Sequence, residues 1–161
     1  MAATLHVMCG KIASGKTTLA RTTADACGGV LISEDVWLDR MYPGEHFTVQ
    51  DYVRRSTRLR AALGPHVSAL LRRGVSVVFD FAGNTPRERQ WARAIAEDGG
   101  ADLLVHFLNI PDAVCRARLR ARNIEAPEGS QHTTDAEFDA ISAYFVTPSD
   151  GEGVRIREHV E

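Results

Sequence analysis

Two regimes of hydrophobic and polar positions alternate along the chain. Short runs dense in aliphatic residues occur at Leu5–Met8, Val30–Ile32, Val75–Phe79 and Leu103–Leu108, with Val154–Val160 as a last candidate. Runs this continuous suit strands covered on both faces. Between them lie longer stretches with helical spacing: Lys16–Ala26, Thr48–Arg73, Thr85 to Gly99–Gly100, Pro111–Arg122 and Asp135–Val146. The second of these offers Val53, Leu59, Leu63, Val67, Leu70 and Leu71 for a buried stripe, and its Gly64–Pro65 predicts a bend or break. Thr85-Pro86-Arg87-Glu88 has the form of a capping box with proline in the first turn. Gly28–Gly29 and Gly74 are placed to end helices. Glu34–Phe47 is mixed and contains the breaker Pro43–Gly44, whereas Asn123–Thr134 reads as a mobile connection. The alternation predicts an α/β, three-layer domain over residues 1–161, with a mobile lid segment around 118–134.

Composition narrows the class. A chain of 161 residues buries an adequate core without disulfides or structural metal. Cys9, Cys27 and Cys115 are widely spaced and match neither a disulfide framework nor a zinc site. Nineteen basic against 21 acidic side chains give a net charge of −2, which argues against a charge-driven coat for nucleic acid or membrane. Met1–Met8 lacks the features of a signal peptide and no apolar run is long enough to span a bilayer, so the expected location is cytoplasmic. Only Lys11 and Lys16 are lysines; every other basic residue is arginine.

One of those lysines ends the most informative motif. Gly10-Lys11-Ile12-Ala13-Ser14-Gly15-Lys16-Thr17 fits G-x-x-x-x-G-K-[ST] between a strand and a helix, with Thr18 next in line. Its glycines let backbone N–H groups turn toward phosphate oxygens, and the following helix adds its positive end. Lys16 is expected to reach the β- and γ-phosphates of ATP, and Thr17 to ligate Mg²⁺. Asp35 follows the second strand, where ligands of doubly wound sheets collect, and is the candidate to orient an acceptor hydroxyl and take its proton. Glu34 is the alternative carboxylate. Asp80, read as ending the third strand, is a candidate to hold Mg²⁺ or touch the acceptor. Arg118 and Arg122 share a helix face at i, i+4 beside the mobile connection and are suited to neutralise a transferring phosphoryl group.

Other features carry less. Arg54, Arg55, Arg58 and Arg60 form either a solvated face or a grip for an anionic polynucleotide, with Tyr42, Phe47 or Tyr52 as stacking surfaces. Trp37 and Met41 read as apolar packing beside the crevice or as an acceptor wall. His6 and His106 read as core residues inside strands, and His46, His66, His132 and His159 have no matching metal partners.

The loop, Ser33–Trp37, Val78–Thr85 and Arg118–Asn123 come in an order that resembles the small P-loop kinases grouped with chloramphenicol phosphotransferase, zeta-type toxin kinases and the kinase domain of polynucleotide kinase. The resemblance implies the P-loop NTPase fold, with a five-stranded parallel sheet in the order 2-3-1-4-5. It also implies an acceptor-activating role for Asp35, a lid role for Arg122 and an adenine-holding loop near Thr147–Gly153. Polynucleotide kinases of the group carry arginine three residues after the aspartate; Leu38 stands there in this chain. The expected function is ATP/Mg²⁺-dependent phosphate transfer to a hydroxyl of a small molecule. The alternatives are a 5′-hydroxyl polynucleotide kinase, with nucleic acid as partner, and a nucleotide-binding regulatory module with slow hydrolysis.

Overall fold

A computed structural model describes residues 2–46, 48–126 and 132–160. The chain runs β1 (Thr4–Cys9), α1 (Lys16–Cys27), β2 (Val30–Ser33), α2 (Glu34–Met41), α3 (Val49–Arg72), β3 (Val77–Ala82), α4 (Pro86–Asp98), β4 (Asp102–Leu108), α5 (Asp112–Glu125), α6 (Asp135–Ser142), a 3₁₀ turn at Asp150–Glu152 and β5 (Arg155–His159). The five strands form one parallel sheet in the order β2-β3-β1-β4-β5. This is the order that the resemblance implies.

The strand sequences explain the layering. In β1, Leu5 and Val7 join Phe79, Leu63 and Val67 in a core closed by α3 and α4. Met8 points the other way, into a cluster with Ala20 and Ala24 of α1 and Val78 of β3. Successive side chains leave a strand on opposite faces, so both faces of the central strands are apolar and both are covered.

Three local expectations change. Helix α3 is unbroken through Pro65, which faces solvent, while Gly64 sits buried with Ile95 and Trp91 close by. Leu59, Leu63, Val67 and Leu71 keep one continuous stripe in the core. That burial outweighs the cost of about 3 kcal/mol for an interior proline. Strand β3 begins two residues later than expected, because Gly74 takes a left-handed φ of 79° and Val75 N–H returns to Leu70 O at 3.1 Å. It also runs on to Ala82, so Asp80 lies within the strand, in register with Ser33, and not at its end. The segment Glu34–Phe47, expected to be mixed, is helical over α2.

His6, His106 and His159 are not isolated. His6 Nδ1 lies 2.9 Å from His106 Nε2, and His106 Nδ1 lies 3.0 Å from His159 Nε2, a hydrogen-bonded chain across β1, β4 and β5. Of the mobile connection expected at 123–134, Asn123–Glu125 continue α5, residues 127–131 lie outside the described set, and Asn123 holds Thr133 through two hydrogen bonds. Phe47, considered for stacking, also lies outside the described residues. No helix among the described residues is long and apolar enough to cross a membrane.

Candidate active site

The loop between β1 and α1 turns because two residues accept left-handed backbone: Ala13 at φ 60° and Gly15 at φ 101°. Gly15 suits its position for want of a Cβ. At Gly10 the reason is proximity, since a Cβ there would lie 2.5 Å from Ser14 Oγ. Lys16 Nζ donates to Gly10 O at 2.7 Å and Lys11 O at 2.8 Å. The ammonium is thus held at the loop by the loop's own carbonyls, and burial depresses its pKa from the ordinary lysine value.

A second segment clamps the loop from behind. Asn84 Oδ1 accepts from Gly10 N–H and Asn84 Nδ2 donates to Gly10 O, each at 2.8 Å. The turn that carries Asn84 is fixed by the Thr85–Glu88 capping box, whose Glu88 carboxylate also accepts from Asn84 N–H at 2.8 Å. One residue on, the fully buried Arg89 makes a bidentate pair with Glu152 at 2.7 and 2.8 Å and donates to Gly83 O at 2.9 Å. Asn84 and Arg89 therefore tie the start of the loop to the 3₁₀ turn within Thr147–Gly153. Sequence reading gave neither residue a role, since Asn84 lies 74 positions from Gly10 and Arg89 lies 63 from Glu152.

In front of the loop is a cavity of about 470 Å³. Ile12, Ala13, Gly15, Lys16, Thr17 and Thr18 form its floor; Glu34, Asp35, Tyr52, Asp80, Phe81 and Ala82 form one wall; Arg118 and Arg122 close it from α5. Of the residues expected to hold phosphate, Gly10 and Ser14 build the turn without lining the cavity. The Lys11 side chain leaves it to pair with Asp112 at 2.7 Å.

Asp35 stands in the first turn of α2 and faces this space. Its pKa is raised by burial first, then by Glu34 and Asp80, against the opposing pull of Lys16 and Arg122. Asp80 Oδ2 accepts from Thr17 Oγ1 at 3.0 Å. Arg118 also reaches Ser14 O at 3.3 Å. Arg122 Nε is buried without a partner among the described residues. The other two arginines of α5 turn away: Arg116 pairs with Asp135 and Asp139 over the Phe138 ring, and Arg120 pairs with Asp135.

Glu34 is not a free carboxylate. It is buried, accepts from Tyr52 at 3.3 Å and from Ser56, and is paired with Arg60 at 3.0 Å. Trp37 and Met41 do not wall the cavity; both are largely exposed, 40% and 47%. On a helix Trp37 points about 200° around the axis from Asp35, which explains its absence from the wall. The basic group of α3 is divided as well, since Arg54 pairs with Asp51 and Arg55 with Glu45, each at 2.7 Å.

Among curated proteins none matches the sequence. Solved structures that resemble it include a candidate kinase from Chloroflexus aurantiacus, 16% identical over 99% of this chain and 85% of that one, with a TM-score of 0.76. Kti12 from Chaetomium thermophilum, in complex with ADP-AlF3, is 18% identical over 98% and 88%, with a TM-score of 0.72. A gluconokinase from Sinorhizobium meliloti is 20% identical over 99% and 82%, with a TM-score of 0.64. At such identities the likeness is one of fold, and the fold is that of P-loop kinases. Residues 5–148 match the model of a family described as AAA domain, and the chain belongs to that family.

Proposed function

We propose that this protein is a phosphotransferase that moves the γ-phosphoryl group of ATP to a hydroxyl of a small-molecule acceptor, with Mg²⁺. The observation that carries the reading is the meeting of Lys16, Asp35, Arg118 and Arg122 around one cavity. Kti12, the solved relative in complex with ADP-AlF3, supports a nucleotide at this loop.

The residues fit a magnesium ion. A hard cation takes oxygen ligands and keeps several waters, and Thr17 Oγ1 with the Asp80 carboxylate supplies such a pair. Bound there, the ion would neutralise charge on the phosphates. The chain's own residues do the rest. Backbone N–H groups of the loop and the N-terminus of α1 receive the phosphate tail. Lys16 leaves the carbonyls of Gly10 and Lys11 for phosphate oxygens. Asp35 orients the acceptor hydroxyl and takes its proton as the new O–P bond forms and the bond to the ADP oxygen breaks. The raised pKa of Asp35 suits that task, because a base works best with a pKa nearer the operating pH. Arg118 and Arg122 offset charge on the transferring group from the opposite side.

Asp35→Asn keeps the shape and removes the base. It is expected to bind ATP as the wild type does while acceptor-dependent ADP release falls about 10²–10⁴-fold. Full turnover in the variant would contradict the assignment.

A further inference from the structure

We propose that the acceptor is an uncharged or cationic hydroxyl compound, and that Glu34 makes it so by cancelling Arg60. The inference rests on the phosphotransferase reading and adds the charge class of the acceptor.

Charge divides the cavity into two ends. Its cations are Lys16 on the loop and Arg118 and Arg122 on α5, Arg118 reaching Ser14 O of the loop at 3.3 Å; the phosphotransferase reading gives all three to the phosphate end. The opposite wall, from α2, α3 and β3, presents the Asp35 carboxylate and the rings of Tyr52 and Phe81, while Asp80 turns to Thr17 of the loop, where it would hold Mg²⁺. An anionic acceptor would have to be met there by a cation. Helix α3 carries four arginines over Arg54–Arg60. Arg54 and Arg55 are paired outside the cavity, Arg55 also lying 3.9 Å over the ring of Tyr42. Arg58 is exposed and does not line the cavity. Arg60 is the one of the four beside the wall, its guanidinium 5.3 Å from the Phe81 ring centroid. That charge is already matched by Glu34 Oε2 at 3.0 Å, while Glu34 Oε1 is held by Tyr52 and Ser56. With Glu34 and Arg60 cancelling, the wall keeps a surplus of negative charge and offers ring faces to a carbon skeleton. Like charge brought against such a wall is repelled, which is how a site rejects one ligand class without contacting it specifically.

Glu34 is a specificity-determining residue in this account. Replacing it by glutamine retains hydrogen-bonding capacity toward Tyr52 and Ser56, removes the charge and leaves Arg60 uncompensated at the wall.

The test uses matched acceptors that differ in charge: glucose, glucosamine and gluconate; glycerol, ethanolamine and glycerate; adenosine and 3′-AMP. Acceptor-dependent ADP release is measured on the full chain with saturating ATP and Mg²⁺, and nucleotide binding is titrated in parallel. For the wild type, within whichever set is turned over, the neutral or cationic member is expected to exceed the anionic one about tenfold or more in kcat/KM. In folded Glu34→Gln the ratio should move about tenfold toward the anion, and adding Arg60→Gln should abolish that gain. A wild type that prefers the anionic member overturns the inference alone, whether or not Glu34→Gln folds. So does a folded Glu34→Gln with an unchanged ratio. Normal ATP binding with turnover of none of the three sets overturns the phosphotransferase reading together with this one.

Discussion

Truncating Asn84 to alanine removes one amide side chain from behind the loop, and its cost follows from the hydrogen bonds that go with it. Two of these reach Gly10, both at 2.8 Å. Gly10 O keeps a donor in Lys16 Nζ, but the buried Gly10 N–H loses its acceptor. A net hydrogen bond contributes about 1 kcal/mol, and an orphaned buried donor costs about 1–3. Since the orphan term already contains one of the bonds, the sum is about 2–4 kcal/mol. Part of this should appear at the site, because the loop that receives the phosphates loses its rear support. About 1–2 kcal/mol of lost preorganisation weakens nucleotide binding about 5–30-fold. Urea denaturation gives the first quantity, and titration with a fluorescent ATP analogue gives the second. A stability change below about 0.5 kcal/mol with an unchanged Kd would refute the idea that Asn84 holds the loop.

Two further predictions concern charge. Glu152→Gln breaks the pair with the fully buried Arg89 and should destabilise by about 3–5 kcal/mol at neutral pH. Arg89 holds the Glu152 carboxyl below its ordinary value, so its contribution is present above the unfolded pKa of about 4.3 and fades as pH falls through the folded one. The gap between wild type and variant in urea melts should therefore shrink below about pH 4. His106 gives a pH dependence of the same sign for a different reason. Burial, then His6 and His159, push its pKa down to about 4, so the unfolded chain binds more protons between that value and about 6.5. Wild-type stability should fall as pH drops through this window, and His106→Gln should flatten the dependence; equal slopes would contradict the neutral chain of histidines.

What the sequence revealed was what is local in it. The phosphate loop occupies eight consecutive residues, and the Thr85–Glu88 cap spans four, so both were readable and both have the expected form. Strand order came from the resemblance, because nothing in a single strand says which neighbour it pairs with. Asn84 and Gly10 are 74 residues apart, Glu34 and Arg60 are 26, and His6 and His106 are 100. None of these pairings has a short-range signature, which is why Glu34 looked free, the arginines of α3 looked like one group and the histidines looked unrelated. Pro65 misled for a different reason: its local penalty is real, and the long buried stripe around it is stronger. Arg118 and Arg122 were separable from Arg116 and Arg120 because helical geometry alone puts alternate arginines on different faces.

The central claim is that the loop receives a triphosphate and that Asp35 stands opposite its outermost phosphate. The direct measurement is a crystal structure of the protein soaked with Mg²⁺ and a non-hydrolysable ATP analogue. The account predicts phosphate oxygens against the N–H groups of Ala13–Thr17, Lys16 Nζ withdrawn from Gly10 O onto a phosphate, and the Asp35 carboxylate facing the γ-phosphate across the cavity. An analogue bound elsewhere, or an Asp35 turned away from the γ-phosphate, would contradict it.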